Sequence, residues 1–273
     1  MILDKSLKKR LIVAGILVPM VAAFIILGSW PFALFIALGL GLAGWEYWRA
    51  FRMGDFSPSL FLMLVCILGL VWLRYHFQFQ YMDLWLAGLI LLSMTFAVFQ
   101  QARNVPQAAF NFAITVSGAL YIGWLGSYAI SLRAQPLGLP WTLLAIFSAS
   151  MSDAGGYLFG SLWGKHKIAP AISPKKSWEG YFGGLLVAAV GTWLAALLCQ
   201  HFFAGLNPLH GLFLGIVLAI FVPVGDFSES MLKRQFNLKD TSHILPGHGG
   251  ILDRIDSSLW ALPIGFYLLL FLK

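Results

Sequence analysis

Runs of apolar residues, each close to the length that crosses a bilayer, recur along the whole 273-residue chain. A helix needs about 20 residues to cross a hydrocarbon core that is ~30 Å thick. The chain is 59% hydrophobic and only 11% charged, which is too little charge to cover a soluble protein of this length. The sequence therefore predicts an all-α integral membrane protein built as a polytopic helical bundle. A transmembrane β-barrel would show short alternating segments instead.

The apolar runs predict about nine transmembrane helices. The first run follows the basic segment MILDKSLKKR without a small-residue cleavage site, so it is predicted to be a retained span and not a cleaved signal peptide. The predicted spans are Leu11–Gly28, Pro31–Trp48, Ser59–Leu73, Leu84–Val98, Ala108–Ile130, Leu139–Leu162, Phe182–Phe203, Gly211–Val224 and Leu259–Leu272.

The basic residues predict the orientation of these spans. With the N-terminus in the cytoplasm, only Arg74, Arg133 and Lys273 of the 18 lysines and arginines lie outside. Cytoplasmic loops of membrane proteins retain such an excess of basic residues. The sequence therefore predicts a cytoplasmic N-terminus. The net charge of +7 is explained by this bias, and a nucleic-acid partner is not predicted.

The acidic residues concentrate in the second half of the chain, because seven of the 11 follow residue 150. We expect one integral membrane domain, 1–273, in which residues 1–140 are mainly scaffold and residues 141–273 carry the chemistry. The catalytic half would hold two cytoplasmic loops, 163–181 and 225–258. Within the second loop, FSESMLKRQF is typical of a short amphipathic helix at the membrane surface.

Two segments of the catalytic half combine polar residues with glycine or proline. In SASMSDAGGYLFGSLWGKHK, Asp153 lies inside a predicted span and glycines follow it. This pattern indicates either a ligand site or close helix packing. In KIAPAISPKKSWEG, the hydroxyl and ammonium groups of Ser173, Lys175, Lys176 and Ser177 suit a phosphate. A basic cytoplasmic loop is the alternative there.

The third segment, from Asp226 to Asp256, contains most of the remaining ionisable residues. Asp253 and Asp256 are three apart, so they would share one face of a helix. Carboxylates held close together need a cation or a proton, and oxygen ligands favour Mg²⁺ over zinc. The GHGG sequence would let the backbone approach a ligand closely. A solvated loop in which acids and bases pair is the alternative.

The segment SMLKRQFNLKDTSHILPGHGGILDRID, Ser230–Asp256, resembles the C-terminal signature of the phosphatidate cytidylyltransferases, also called CDP-diacylglycerol synthases. The resemblance implies that CTP and phosphatidate react to CDP-diacylglycerol and pyrophosphate, in phospholipid biosynthesis. It also implies a site on the cytoplasmic side of the membrane, which we expect to be a bacterial inner membrane. CTP would arrive from water and phosphatidate from the cytoplasmic leaflet.

The resemblance and the residues together suggest a role for each candidate. The expected cofactor is Mg²⁺, with a second cation and a homodimer left open. The candidate metal ligands are Asp226, Asp253 and Asp256, and the other candidate catalytic residues are Lys239, Asp240, His248 and Arg254. The candidate substrate-binding residues are Asp153, Ser173, Lys175, Lys176, Ser177, Lys233, Arg234, Gly249 and Gly250.

Two other functions remain open at this stage. A lipid kinase or a cytidylyltransferase acting on another lipid would use similar phosphate-binding residues. An ion-coupled transporter would use intramembrane carboxylates such as Asp153 and Asp226. A transporter would place charges near the bilayer midplane in both halves, whereas most charges here lie at the ends of the later spans.

Overall fold

A computed structural model describes residues 5–245, 247 and 249–272, with the side chains of residues 5–12 and 14 outside the description. The described residues form helices and no strands. The helices are α1 (Lys5–Leu27), α2 (Ser29–Arg52), α3 (Leu60–Phe77), α4 (Met82–Ala102), α5 (Ala108–Gly118), a π-helical turn (Ala119–Trp124), α6 (Leu125–Arg133), α7 (Gly138–Trp163), α8 (Trp178–Cys199), α9 (Pro208–Gln235) and α10 (Leu252–Phe271).

The prediction of an all-α membrane protein is confirmed. Among the described residues, seven helices are long and apolar enough to span a bilayer, counting Ala108–Arg133 as one. Each of the nine predicted spans largely overlaps a helix, or the continuous run from α5 to α6 in the case of Ala108–Ile130, but two fall outside these seven. The described apolar part of α1 is the shorter Gly15–Leu27, and the apolar sequence of α7 is interrupted by Ser148, Ser152 and Asp153. The count of nine and the cytoplasmic N-terminus stay predictions.

The helix boundaries shorten both predicted loops. The segment FSESMLKRQF is not a separate surface helix, because α9 continues through it to Gln235. Its internal Pro223 does not end the helix, and the last residues of the helix, Met231–Gln235, have good helix propensity. The second loop therefore covers residues 236–251, and α10 begins at Leu252. The first loop covers residues 164–177, between α7 and α8.

The described chain divides into two compact units, of which the first comprises residues 1–131 and 232–255. Its core contains Met63, Ile67, Leu70 and Ile122, which are fully buried. Arg74 is also fully buried. Its guanidinium carbon lies 4.0 Å, 4.8 Å and 4.0 Å from the ring centroids of Phe79, Trp124 and Tyr128, so cation–π contacts compensate for lost hydration.

The second unit comprises residues 132–231 and 256–273. Its helices α7 and α8 pack backbone against backbone. A Cβ added to Gly180 would lie 2.7 Å from the carbonyl oxygen of Gly156, and one added to Gly184 would lie 2.6 Å from that of Ser152. Small residues permit this close packing of membrane helices. Helix packing also accounts for Gly155 after Asp153, because a Cβ there would lie 2.7 Å from Cβ of Val187 on α8.

Candidate active site

Three carboxylates meet between α9 and α10 in the second unit. Asp226 and Glu229 lie on α9 and Asp256 on α10, and one oxygen of each lies within 4.8 Å of the others. We call these three residues the acidic cluster. Glu229 is 2% exposed and Asp256 is 8% exposed. Carboxylates at this spacing repel one another unless a cation or a proton is bound.

The donor set of the acidic cluster fits a hard divalent cation. Within the described residues, this group offers carboxylate oxygens and neither histidine nor cysteine. Mg²⁺ binds through one or two carboxylates together with water and substrate phosphates. The three residues could therefore hold Mg²⁺ and leave coordination positions for a polyphosphate.

A glycine lets the two helices of the cluster approach. A Cβ on Gly225 would lie 2.6 Å from the carbonyl oxygen of Asp256 and 2.7 Å from Cδ1 of Trp260. Real Cβ atoms do not occur at such distances. Gly225 is therefore required for the α9–α10 contact that brings Asp226 to Asp256.

Lys176 reaches the acidic cluster from the loop 164–177. Its Nζ atom forms a salt bridge with Asp226 and lies 4.4 Å from the centroid of the Phe227 ring. The loop is held by a β-bridge between Lys167 and Ser177. The structure thus brings together Lys176 and Asp226, which the sequence had proposed for substrate and metal respectively.

The neighbours of Lys176 have different surroundings. Ser177 is the N-cap of α8, and its Oγ accepts a hydrogen bond of 3.2 Å from the amide of Gly180. Capping satisfies one of the free amides of a helix start. Ser173 lies in a turn in which its carbonyl accepts a hydrogen bond of 3.3 Å from the amide of Lys176. Lys175 is exposed.

Asp153 is linked to the end of the acidic cluster through Ser257. The Ser257 hydroxyl donates a hydrogen bond of 3.3 Å to Oδ2 of Asp153. The amide of Ser257 donates one of 2.6 Å to Oδ1 of Asp256. Asp153 therefore contacts the residue that follows Asp256 of the acidic cluster. In the sequence, Asp153 precedes Asp226 of the same cluster by 73 positions.

An open cavity of about 670 Å³ lies in the second unit beside the same loop, lined by His166, Lys167, Trp178, Glu179 and Phe182. Nδ1 of His166 lies 2.6 Å from Oε1 of Glu179. The amide of His166 also donates to both oxygens of that carboxylate at 3.2 Å. The carboxylate of Glu179 thus fixes the beginning of the loop, at His166, to the start of α8.

In the first unit, Asp253 accepts hydrogen bonds at both oxygens. Lys233 Nζ donates to Oδ1 at 2.8 Å. Oδ2 accepts from the Gly250 amide at 2.7 Å and from the amide and hydroxyl of Thr241 at 3.0 Å and 2.9 Å. The sequence proposed Asp253 as a metal ligand and Lys233 as a phosphate ligand. Here they form an ion pair, and both assignments stay predictions.

A further carboxylate, Glu46 on α2, binds the same polar loop. Its side chain is fully buried. It accepts hydrogen bonds from the hydroxyls of Ser242 (2.5 Å) and Thr241 (3.2 Å) and from the amides of Ile251 (2.9 Å) and Leu252 (2.7 Å). We call Glu46, Asp253 and their donors the Glu46–Asp253 network.

Two glycines make room for the Glu46–Asp253 network. A Cβ on Gly250 would clash with the Thr241 hydroxyl and would lie 2.5 Å from Oε1 of Glu46. Gly249 has a φ of +84°, and a Cβ there would lie 2.7 Å from Oδ2 of Asp253. These glycines were proposed to approach a substrate. In the structure their backbone packs on the protein's own carboxylates, and substrate binding stays a prediction.

The remaining candidates lie on or near the same loop. Arg234, Lys239 and Arg254 are exposed, and Asp240 is half-buried. His248 lies outside the described residues, so its predicted role is not addressed.

Sequence reasoning missed Glu46 and Glu229 as site residues. Glu229 lies three positions after Asp226, a spacing that puts both on one helix face. Glu46 lies inside a predicted span, where a carboxylate usually has a function. Both signals were present in the sequence.

Comparison with known proteins identifies the family. The model of the cytidylyltransferase family matches residues 8–272. The chain is 32% identical over 268 residues to the phosphatidate cytidylyltransferase of Bacillus subtilis, covering 96% of this chain and 97% of that protein. It is 38% identical over 180 residues to the enzyme of the same name from Staphylococcus epidermidis (66% and 67% covered) and 30% identical over 234 residues to that from Mycobacterium bovis (82% and 75% covered). The family indicated by the Ser230–Asp256 signature is thus confirmed, and the chain belongs to the cytidylyltransferase family and is a nucleotidyltransferase.

Proposed function

We propose that this protein transfers the cytidylyl group of CTP to phosphatidate, which yields CDP-diacylglycerol and pyrophosphate. The observation that carries the proposal is the acidic cluster paired with Lys176, in a helical membrane protein of the cytidylyltransferase family. Three relatives that cover most of the chain or two thirds of it are named phosphatidate cytidylyltransferase. The cluster supplies what two polyanionic substrates need, namely oxygen ligands for a cation and a nearby ammonium group.

The reaction requires no nucleophile from the protein. A phosphate oxygen of phosphatidate forms the new bond to the α-phosphorus of CTP, while the bond from that phosphorus to the bridging oxygen of the β-phosphate breaks. The electron pair of the broken bond leaves with pyrophosphate. The protein's task is to align the two substrates and to stabilise the charge on the leaving group.

We assign Mg²⁺ to Asp226, Glu229 and Asp256. When bound, this ion neutralises the phosphates and stabilises the leaving pyrophosphate. Asp253 stays a candidate ligand of it or of a second cation. Lys176, placed against Asp226, would shift onto a phosphate oxygen once a cation occupies the carboxylates. Arg254 and Lys239 are exposed on the polar loop and would bind the outer phosphates of CTP.

The membrane location follows from the substrates and from the basic residues. Phosphatidate is a bilayer lipid, and CTP is a cytoplasmic solute. We place the active site on the cytoplasmic side, because nearly all basic residues lie in the segments predicted to face the cytoplasm. Because the named relatives are bacterial, we propose that this membrane is a bacterial inner membrane.

The decisive experiment supplies the purified protein with phosphatidate, Mg²⁺ and CTP labelled at either the α- or the γ-phosphate. We expect label from α-labelled CTP to appear in the lipid product, and label from γ-labelled CTP to appear in pyrophosphate only. A lipid kinase would transfer the γ-label to lipid. Folded protein that gives no lipid label from α-labelled CTP would refute the proposal.

A further inference from the structure

The burial of Glu46 requires a compensating set of donors. An ionised carboxylate without water is costly unless its lone pairs are satisfied. A carboxylate has about four acceptor sites, and Glu46 receives four donors from Thr241, Ser242, Ile251 and Leu252. Two of these groups are backbone amides, which can only donate, and two are hydroxyls, so together they surround both carboxylate oxygens.

All four donors belong to the polar loop that follows α9 and to the first residue of α10. The amides of Ile251 and Leu252 lie at the start of α10, where a helix leaves its amides without internal partners. The partial positive charge of a helix start also favours a nearby carboxylate. Glu46 therefore holds both the middle of the loop, at residues 241 and 242, and its end at the start of α10.

Thr241 links Glu46 to Asp253. Its hydroxyl oxygen lies 3.2 Å from Oε2 of Glu46 and 2.9 Å from Oδ2 of Asp253. A hydroxyl has one hydrogen to donate, so the two carboxylates share it, while the amide of Thr241 donates to Asp253 alone. The position of Thr241, and with it that of the Asp253 carboxylate, thus depends on Glu46.

We infer that Glu46 is a positioning residue, which holds residues 241–242 and 251–252 and so sets the orientation of the Asp253 carboxylate for catalysis. Glu46 itself is enclosed by protein and does not touch substrate. The catalytic consequence rests on the proposed function, whereas the hold on the loop does not. A residue 195 positions before Thr241, in the half expected to be scaffold, thereby becomes part of the catalytic apparatus.

The test uses Glu46→Gln in the full-length protein, with Gly39→Ala on the same helix as a matched control. A Cβ at Gly39 meets nothing within 4 Å, so this control changes α2 without touching the network. Glutamine keeps the shape of Glu46 but replaces one acceptor with a donor. We expect amide hydrogen exchange of residues 241–252 to rise about tenfold in Glu46→Gln, because one buried hydrogen bond is worth roughly that factor, and to stay at the wild-type rate in Gly39→Ala.

Turnover is measured beside the exchange. We expect kcat for CDP-diacylglycerol formation to fall about 30-fold in Glu46→Gln, as for a misplaced catalytic group, while the amount of CTP bound per protein at saturating CTP, which counts the folded molecules, stays at the wild-type value. CTP binding is measured without phosphatidate, so no reaction occurs. A folding defect would instead lower bound CTP and kcat together, and that outcome would overturn the inference. Wild-type kcat in Glu46→Gln would also overturn it.

Variants of Thr241, one of the donors to Glu46, test the same inference if Glu46→Gln does not fold. Thr241→Val removes the shared hydroxyl, whereas Thr241→Ser keeps it. The inference requires a lower kcat and faster exchange in Thr241→Val than in Thr241→Ser, and equal values would refute it. If the wild-type protein made no CDP-diacylglycerol, the proposed function would fail, and the exchange rates would still decide whether Glu46 holds the loop.

Discussion

The two groups of buried carboxylates differ in what surrounds them. In the Glu46–Asp253 network, amides, hydroxyls and Lys233 point at the carboxylate oxygens. In the acidic cluster, three carboxylates lie beside one another with Lys176 on Asp226. Backbone amides that donate to a carboxylate fix the conformation of the loop that carries them. Carboxylates that lie close to one another instead create a strongly negative electrostatic potential. The first arrangement suits a loop that must stay in place, and the second suits a site for cations and phosphates.

The largest effect is expected when the acidic cluster loses a charge. In Asp256→Asn, we expect turnover to fall about 10³-fold, because a bound cation contributes several kcal/mol to transition-state stabilisation. The protein should still insert and fold. The measurements are CDP-diacylglycerol formation and binding of Mn²⁺ as a spectroscopic substitute for Mg²⁺. Asp83→Asn, an exposed carboxylate in the first turn of α4, serves as the control, and equal Mn²⁺ binding in both variants would contradict the metal assignment.

Glu229 tests whether the cluster has three working members. We expect Glu229→Gln to lower turnover about 10²-fold, since it removes one charged ligand of the cation but leaves two aspartates. The control is Ser228→Ala on the same helix, because the Ser228 hydroxyl donates only to the Val224 carbonyl at 2.8 Å. Raising the Mg²⁺ concentration should partly restore Glu229→Gln. If turnover of Glu229→Gln depended on the Mg²⁺ concentration as in the wild type, Glu229 would not be a ligand of the cation.

Gly250 offers a way to damage the other group without altering any charge. A methyl group there would press on the Glu46 carboxylate and the Thr241 hydroxyl, and overpacking of this kind costs about 1–3 kcal/mol. We expect Gly250→Ala to lower the thermal midpoint and to lower turnover about tenfold. Gly39→Ala should leave both values close to wild type. If Gly250→Ala had the same thermal midpoint and turnover as Gly39→Ala, the close contact of Gly250 with Glu46 and Thr241 would not matter for stability or activity.

The expected effect of Lys176 on activity is no larger than that of Gly250. A charge-assisted hydrogen bond is worth about 1.5–3 kcal/mol, but Lys176 is only partly buried, and solvent screens its charge. We therefore expect Lys176→Met to lower kcat/KM about tenfold while binding of Mn²⁺ becomes tighter, because Asp226 loses a competing cation. Lys165→Met, an exposed lysine of the same loop, is the control. Weaker Mn²⁺ binding in Lys176→Met would show that Lys176 does not compete with the metal ion for Asp226.

The sequence predicted those features that depend on neighbouring residues. Hydropathy located the helices, since a membrane helix is defined by a continuous apolar run. Proline and glycine located the polar loops, but Asp253 and Asp256 were assigned to the loop before the last span, whereas α10 begins at Leu252 and includes both. The glycines after Asp153 could not be interpreted, because only the structure shows that α8 packs against them.

Contacts between distant residues could not be predicted. Glu46 is separated from its donors by about two hundred residues, and one sequence does not reveal which loop covers a buried carboxylate. The extent of α9 was also missed. Its second half, GDFSESMLKRQ, is polar, so hydropathy ends the predicted span at Val224 although the backbone hydrogen bonding of the helix continues to Gln235.

The separation between Glu46 and Thr241 has a consequence for how the protein is made. A ribosome adds about 5–20 residues per second, so the 195 residues between them take roughly 10–40 s to synthesise. During that time α2 has emerged, and the four donors of Glu46 do not yet exist. Arg49 and Arg52, one and two turns later on the same helix, favour keeping this end of α2 at the membrane surface, where water can solvate the carboxylate. The Glu46 contacts therefore form only after Leu252 has been translated, so the loop is completed long after α2 has entered the membrane.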